Sequence, residues 1–128
     1  MKCLSHDDKT ICFAGKYRYH CENTEDTHEF KIGADRVRYQ CVGTDEKKSI
    51  DIGIFINGIP IVMIELKNSL TGQTHLDGIK QWKQDRDPKE PLFRFKRNLV
   101  YFSVGTEKVS MTTRLRSDKT FFLPFNKG

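Results

Sequence analysis

Residues 50–67, IDIGIFINGIPIVMIELK, constrain the fold more than any other part of the chain. Two apolar runs of strand length flank an Asn-Gly pair, which is a strong signal for a β-hairpin. Three charged residues interrupt these runs: Asp51, Glu65 and Lys67. A charge among buried aliphatic side chains is costly unless it has a partner or a task. These three residues are therefore the first candidates for a functional site.

The register of this hairpin decides whether the three charges can meet. Glu65 and the lysine two residues later share one face of the second strand. In the first strand the four isoleucines are expected on one face and Asp51 on the other. A strict two-residue loop at Asn57 and Gly58 puts Asp51 opposite Ile64, on the wrong face for Glu65. One residue more or less between the strands turns Asp51 to the face of Glu65. We therefore predict a bulge or a three-residue connection.

The rest of the chain predicts strands and one helix. Residues 36–42 alternate apolar and polar side chains, as a half-buried strand does. Thr74 and Asp77 resemble a helix-capping pair, which predicts a helix over residues 75–85. Its apolar stripe is Leu76, Ile79 and Trp82, and Pro88 ends it. Further strands are predicted over residues 99–104, 109–113 and 120–123. The expected fold class is α/β or α+β with a mixed sheet.

Length and composition favour one soluble domain. A chain of 128 residues can bury a core without metal or disulfide staples. We expect one domain over residues 1–128, with residues 36–128 as its core. Residues 1–35 are poorly assigned: residues 10–21 favour a strand or hairpin, and the polar segment after them a connector. No membrane span or secretory leader is visible, so a cytoplasmic location is expected.

The four cysteines all lie in the first third of the chain, where three histidines also lie. Their order and spacing contain no CxxC pair and match no zinc motif with a known mechanism. Free, reduced thiols are therefore favoured over a structural zinc site for Cys3, Cys12, Cys21 and Cys41.

The net charge of +5 is unevenly distributed, because residues 80–128 hold +7. The segment of residues 80–97 interleaves basic and aromatic side chains, a composition suited to phosphate contacts. A solvated basic surface is common, and the charge alone favours that explanation. The aromatic side chains are expected in the core. The candidate phosphate contacts are Lys83, Arg86, Lys89, Arg94, Lys96 and Arg97.

Two carboxylates and a lysine on facing strands suggest phosphodiester chemistry. Asp51 and Glu65 can bind Mg²⁺, for which Mn²⁺ can substitute, and the backbone carbonyl of Leu66 can add a ligand. Lys67 can then orient a water molecule or stabilise charge in the transition state. The alternative is a salt bridge at the end of a sheet, and spacing alone favours that alternative.

Several blocks in order resemble one family. They are SIDIGIFINGIPIVMIELKNSLTGQT, IKQWKQDRDPKEPLFRFKRNLVYFSV and MTTRLRSDKTFFLPFNKG. Over roughly residues 36–128 the chain resembles the N-terminal nuclease region of the restriction (R) subunit of type I restriction-modification enzymes. The resemblance implies a PD-(D/E)xK nuclease fold, with Asp51 and Glu65 as metal ligands and Lys67 assisting the nucleophilic water. It also implies double-stranded DNA as substrate, and the methylation and specificity subunits of a type I complex as partners.

Two features depart from this family. Nucleases of this group often carry QxxxY on the helix after ExK, but here Gln81 is followed by Asp85 at the tyrosine position, with Trp82 as the nearest aromatic. Gln81 remains a candidate DNA or active-site contact, or an ordinary exposed glutamine. The R subunits continue into an ATP-driven translocase, whereas this chain has no GxxxxGK[ST] loop. We therefore expect that this chain has no ATP site. It is expected to be either a fragment or a stand-alone nuclease domain.

The sequence favours a metal-dependent DNA endonuclease domain. Another nuclease of the same superfamily, acting in repair or mobile-element defence, is one alternative. A non-catalytic DNA-binding or docking module, in which the acidic pair is only structural, is the other.

Overall fold

The computed structural model of the chain describes the backbone of residues 3–6, 9–12, 15–20 and 27–126, and the side chains of residues 34 and 36–126. Of the connector expected at residues 22–29, residues 22–26 lie outside the described residues, as do the thiols of Cys3, Cys12 and Cys21. Residues 27–29 belong to a strand, so the prediction is wrong for them. Cys41 is a free thiol. In chain order the elements are strands β1 (Cys3–His6), β2 (Lys9–Cys12), β3 (Gly15–His20), β4 (Thr27–Gln40), β5 (Lys47–Ile56) and β6 (Ile59–Leu66), a 3₁₀ helix (Ser69–Thr71), helix α1 (His75–Gln84), and strands β7 (Val100–Val104), β8 (Val109–Thr112) and β9 (Leu123–Pro124).

The described strands form a two-stranded sheet, β1-β2, and a seven-stranded sheet in the order β3-β4-β5-β6-β7-β8-β9. Neighbours in the larger sheet are antiparallel except β6 and β7, which are parallel. A parallel pair needs a crossover connection, and α1 supplies it. The mixed α/β class predicted from the sequence is confirmed. No helix among the described residues is long and apolar enough to cross a membrane.

The turn between β5 and β6 has two residues. Asn57 and Gly58 have φ angles of 50° and 82°, as the type I′ turn favoured by Asn-Gly requires. Ile56 pairs with Ile59 directly across the turn. The three-residue loop, one of the two predicted alternatives, is therefore not what this hairpin uses.

A bulge in β6 provides the predicted change of register instead. Pro60 and Val62 both pair with β5, and Ile61 between them is the extra residue. A proline fits this position because it has no amide hydrogen to give to a regular ladder. Beyond the bulge the pairing is shifted by one residue, and Ile52 pairs with Ile64. Continued by one residue, this register puts Asp51 opposite Glu65.

A second irregularity changes the faces of β5. Its pairing with β4 shifts between Gly53 and Ile50, so that Asp51 and Ile52 together oppose one residue of β4. Ile50 is fully buried on the same side as Phe55, whereas the other three isoleucines are half-buried. The prediction that all four isoleucines share a face is therefore wrong for Ile50, because the bulge interrupts the two-residue period.

Helix α1 begins where its capping pair predicted. The Thr74 side chain and the Asp77 carboxylate form a reciprocal capping box. The helix face against the sheet is Gly78 and Trp82, and a Cβ at Gly78 would lie 2.2 Å from Ser103 Oγ. Leu76, which the sequence placed on this face, is 61% exposed. Close approach of the helix to β7 favours glycine there over a large side chain.

The core is centred on aromatic side chains. Trp82 packs edge-on against Phe93 and Tyr101, and Phe93 packs edge-on against Tyr39. This confirms that the aromatic residues at 82 and 93 belong to the core. The same expectation is wrong for Phe95, which is 55% exposed.

Candidate functional site

The structure gathers Asp51, Glu65 and Lys67 at one end of the β5–β6 hairpin. Glu65 is 1% exposed on the side of the sheet that α1 covers. Burial raises the pKa of Glu65 to about 7, and Arg86 opposes this rise. The negative charge of Asp51 raises the same pKa and the positive charge of Lys67 lowers it. Both other predicted residues therefore act on Glu65 electrostatically.

Asp51 is held by the backbone of the neighbouring strand. The Leu66 amide donates a hydrogen bond of 2.9 Å to Oδ2 of Asp51. The other oxygen, Oδ1, lies 4.0 Å from Nη2 of Arg36. The Asp51 side chain is 30% exposed, so this carboxylate is both anchored and accessible to solvent.

Lys67 is fixed by a strand and by the helix. Its amide donates to the carbonyl of Val104 at 2.8 Å, which continues the β6–β7 pairing. Its Nζ donates to Oε1 of Gln81 at 2.6 Å. The structure thus places Gln81, a predicted DNA or active-site contact, directly on the lysine of the ExK sequence. A fixed ammonium group can orient a water molecule better than a freely rotating one.

Glu65 has a partner that the sequence did not reveal. Nη2 of Arg86 donates to Oε1 of Glu65 and also to the carbonyl of Ser49 at 2.7 Å. Nη1 of Arg86 donates to the Tyr39 hydroxyl at 3.1 Å. Arg86 is only 3% exposed, whereas a phosphate contact must be accessible. Its position therefore differs from that expected of the DNA contact assigned to it.

The donor set suits a hard divalent ion. Mg²⁺ is bound in proteins by one or two carboxylates and completes its shell with water and substrate phosphate. Asp51 and Glu65 supply two carboxylates, and the Leu66 carbonyl lies in the strand between Glu65 and Lys67. No group of three or more His, Cys, Asp or Glu side chains suited to a metal occurs among the described residues. The two carboxylates and the carbonyl are oxygen donors of the kind that Mg²⁺ and Mn²⁺ accept.

The remaining predicted DNA contacts lie elsewhere. Lys83 is half-buried on α1, whereas Arg94, Lys96 and Arg97 are exposed before β7. This basic segment is level with Ile61, because the adjoining residue Leu99 donates to the Ile61 carbonyl at 2.9 Å. The site residues are at the other end of β6. At about 3.3 Å per residue, the separation is on the order of 15 Å.

An exposed aromatic ring accompanies the basic segment. The guanidinium of Arg114 lies 4.3 Å from the centroid of Phe95, and Nζ of Lys96 lies 5.8 Å from it. Lys96 has a φ of 70°, a backbone conformation that residues other than glycine rarely adopt. The segment therefore presents cations and an aromatic face together, which suits a nucleic-acid surface.

The fold and this site define a mixed α/β domain with two carboxylates and a lysine at one end of a hairpin. The family profile described as "Type I restriction enzyme R protein N terminus" matches residues 26–120. The chain belongs to this family.

A curated relative is similar to part of the chain. It is named as a type I restriction enzyme MjaVIIP endonuclease subunit of Methanocaldococcus jannaschii, and it is 38% identical over 71 residues. The match covers 56% of this chain and 6% of that protein, so the chain corresponds to a small part of its relative. No solved structure matches the chain.

Proposed function

We propose that the chain is the metal-dependent endonuclease domain of a type I restriction R subunit and hydrolyses phosphodiester bonds in double-stranded DNA. Residues 36–128 form its PD-(D/E)xK core. The observation that carries the proposal is the convergence of Asp51, Glu65 and Lys67 through the register that the β6 bulge creates. The family membership supports it.

Each site residue has a distinct role in this proposal. Asp51, Glu65 and the Leu66 carbonyl hold Mg²⁺, for which Mn²⁺ can substitute. When bound, the ion supplies Lewis-acid activation of the phosphate and lowers the pKa of a bound water. Lys67 orients the attacking water and stabilises developing negative charge. Gln81 keeps Lys67 in place through the 2.6 Å hydrogen bond.

The exposed basic segment serves DNA binding. Arg94, Lys96 and Arg97 contact phosphates, which gives affinity without reading base sequence. The separation of about 15 Å along β6 is shorter than one turn of B-DNA, about 34 Å, so one duplex is long enough to reach both. Recognition of base sequence falls to a specificity subunit, and the methylation and specificity subunits of a type I complex are the proposed protein partners.

A non-catalytic DNA-binding or docking module is the second candidate. The ion pair between Glu65 and Arg86 favours it, because a buried carboxylate that already has a cationic partner does not require a metal ion. In this case the acidic pair only stabilises the end of the hairpin.

Metal binding and cleavage separate the two candidates. Mn²⁺ and Mg²⁺ are expected to raise the unfolding temperature of the parent protein, and Asp51→Ala is expected to abolish the effect. Cleavage of plasmid DNA is expected to be lost in Asp51→Ala and in Lys67→Ala. Asp45→Ala, at an exposed turn outside the site, is the matched control and should behave as the parent does.

The outcome for the docking module is different. It predicts equal unfolding temperatures with and without metal for the parent and for Asp51→Ala. The effect of metal on the unfolding temperature is measured on this protein alone, without DNA or other subunits. It therefore decides between the candidates even when cleavage requires the other subunits.

A further inference from the structure

Arg86 occupies an unusual place for an arginine. It follows the last turn of α1 and is 3% exposed, inside the layer between helix and sheet. Taking a guanidinium out of water is costly unless it is paired and hydrogen-bonded. Its side chain and that of Glu65 are each 2% exposed where they meet.

Three separate elements fix the guanidinium. Besides its contact with Glu65 on β6, it donates to the Ser49 carbonyl on β5 at 2.7 Å and to the Tyr39 hydroxyl on β4 at 3.1 Å. The rings of Tyr39 and Trp82 each lie 5.9 Å from its central carbon. The group therefore has one orientation, and the Glu65 carboxylate is held by a rigid partner.

We infer that Arg86 is a positioning residue for metal binding: it holds Oε1 of Glu65, supplies the counter-charge that a buried carboxylate needs, and leaves the other carboxylate oxygen to the ion. This inference rests on the proposed function, since it assigns Glu65 to the metal site. It also accounts for a buried arginine in a segment whose other cations are exposed, apart from the half-buried Lys83.

A planar guanidinium suits this task better than an ammonium group. It donates to Glu65, Ser49 and Tyr39 at once from a fixed fork, whereas a lysine offers a point charge on a flexible chain. Partners that orient a metal ligand typically change metal affinity about 10-fold to 100-fold when they are removed. Lysine should restore the charge at this position but not the geometry.

Mn²⁺ affinity measured by isothermal titration calorimetry tests the inference. We expect Arg86→Met to bind Mn²⁺ at least tenfold more weakly than the parent. Arg86→Lys should show an intermediate affinity, a rescue that a purely space-filling role does not predict. Glu90→Gln is the matched control, because Glu90 is also buried and accepts from the Val42 amide at 3.0 Å, but outside the site. It should lower stability and leave Mn²⁺ affinity unchanged.

Tyr39→Phe keeps the test decisive if Arg86→Met does not fold. This variant keeps the ring and removes only the hydroxyl that orients Arg86, and a roughly threefold loss of Mn²⁺ affinity is expected, smaller than the loss from removing the arginine itself. If Arg86→Met folds and binds Mn²⁺ as tightly as the parent, the inference is overturned and the proposed function is left intact. If Arg86→Met does not fold, the same conclusion follows from a Tyr39→Phe variant with the Mn²⁺ affinity of the parent. A parent protein that binds no Mn²⁺ overturns both.

Discussion

The backbone amide of Leu66 donates a 2.9 Å hydrogen bond to Oδ2 of Asp51 across the β5–β6 hairpin. This bond ties the carboxylate of one strand to the residue that follows Glu65 on the other. It exists because one bulge in β6 brings the two strands into the required register. A local backbone irregularity thus determines whether the charged residues can form a site.

Substitution of Gly78 by alanine is expected to destabilise the protein. The new Cβ would lie 2.2 Å from Oγ and 3.2 Å from Cβ of Ser103, so helix and strand would have to separate. Overpacking of this kind costs roughly 1–3 kcal/mol, measurable by urea unfolding. In the double variant Gly78→Ala with Ser103→Ala, part of this loss should be recovered relative to the sum of the single variants. Parent stability in Gly78→Ala would contradict the close packing of α1.

Removal of the Gln81 amide should affect catalysis and not metal binding. In Gln81→Met, Nζ of Lys67 loses its 2.6 Å partner and is free to rotate. Misplacement of a catalytic group costs roughly 10-fold to 100-fold in rate, while Mn²⁺ affinity should stay at the parent value. Gln84→Met, at an exposed position of the same helix, is the control. A parent rate in Gln81→Met would show that this contact does not position Lys67.

Neutralisation of the basic segment should weaken the salt dependence of DNA binding. Each lost phosphate contact reduces the slope of log affinity against log salt by about 0.9. Lys96→Gln and Arg97→Gln are each expected to show this reduction in fluorescence anisotropy with a DNA duplex. Lys119→Gln, an exposed lysine outside the segment, should keep the parent slope. Unchanged slopes in the first two variants would remove this segment from the DNA surface.

The pH dependence of stability should report the buried Glu65. Its pKa in the folded protein is about 7, compared with an ordinary value of 4.5, so between these values the folded state binds more protons than the unfolded state. The free energy of unfolding should therefore fall as the pH rises from 4.5 to 7, by on the order of 3 kcal/mol. The glutamine of Glu65→Gln cannot titrate, so the free energy of unfolding of this variant should not show the decline between pH 4.5 and 7. If the free energy of unfolding changes with pH in the same way in both proteins, the pKa of Glu65 is not raised.

The elements that depend on local signals were predictable from the sequence. The Asn-Gly turn, the capping box of Thr74 with Asp77 and the β7 strand are each encoded within a few residues. Asp51, Glu65 and Lys67 could be selected as candidates because charges in apolar runs are costly. The need for a register change followed from the two-residue period, although its position at Ile61 did not.

The features that depend on tertiary contacts were not predictable. The second bulge, which turns Ile50 into the core, is visible only in the pairing of β5 with β4. The partner of Glu65 lies 21 residues away, and no spacing rule joins a strand residue to an arginine beyond a helix end. In the sequence, Arg86 is one basic residue among several, and no pattern distinguishes it as buried.

The position of bound Mn²⁺ in a crystal tests the central claim most directly. The account predicts an anomalous difference peak between the carboxylates of Asp51 and Glu65 and next to the Leu66 carbonyl, and no such peak in an Asp51→Ala crystal soaked in the same way. A parent crystal with no ion at this place, or with Mn²⁺ bound only elsewhere, would contradict it.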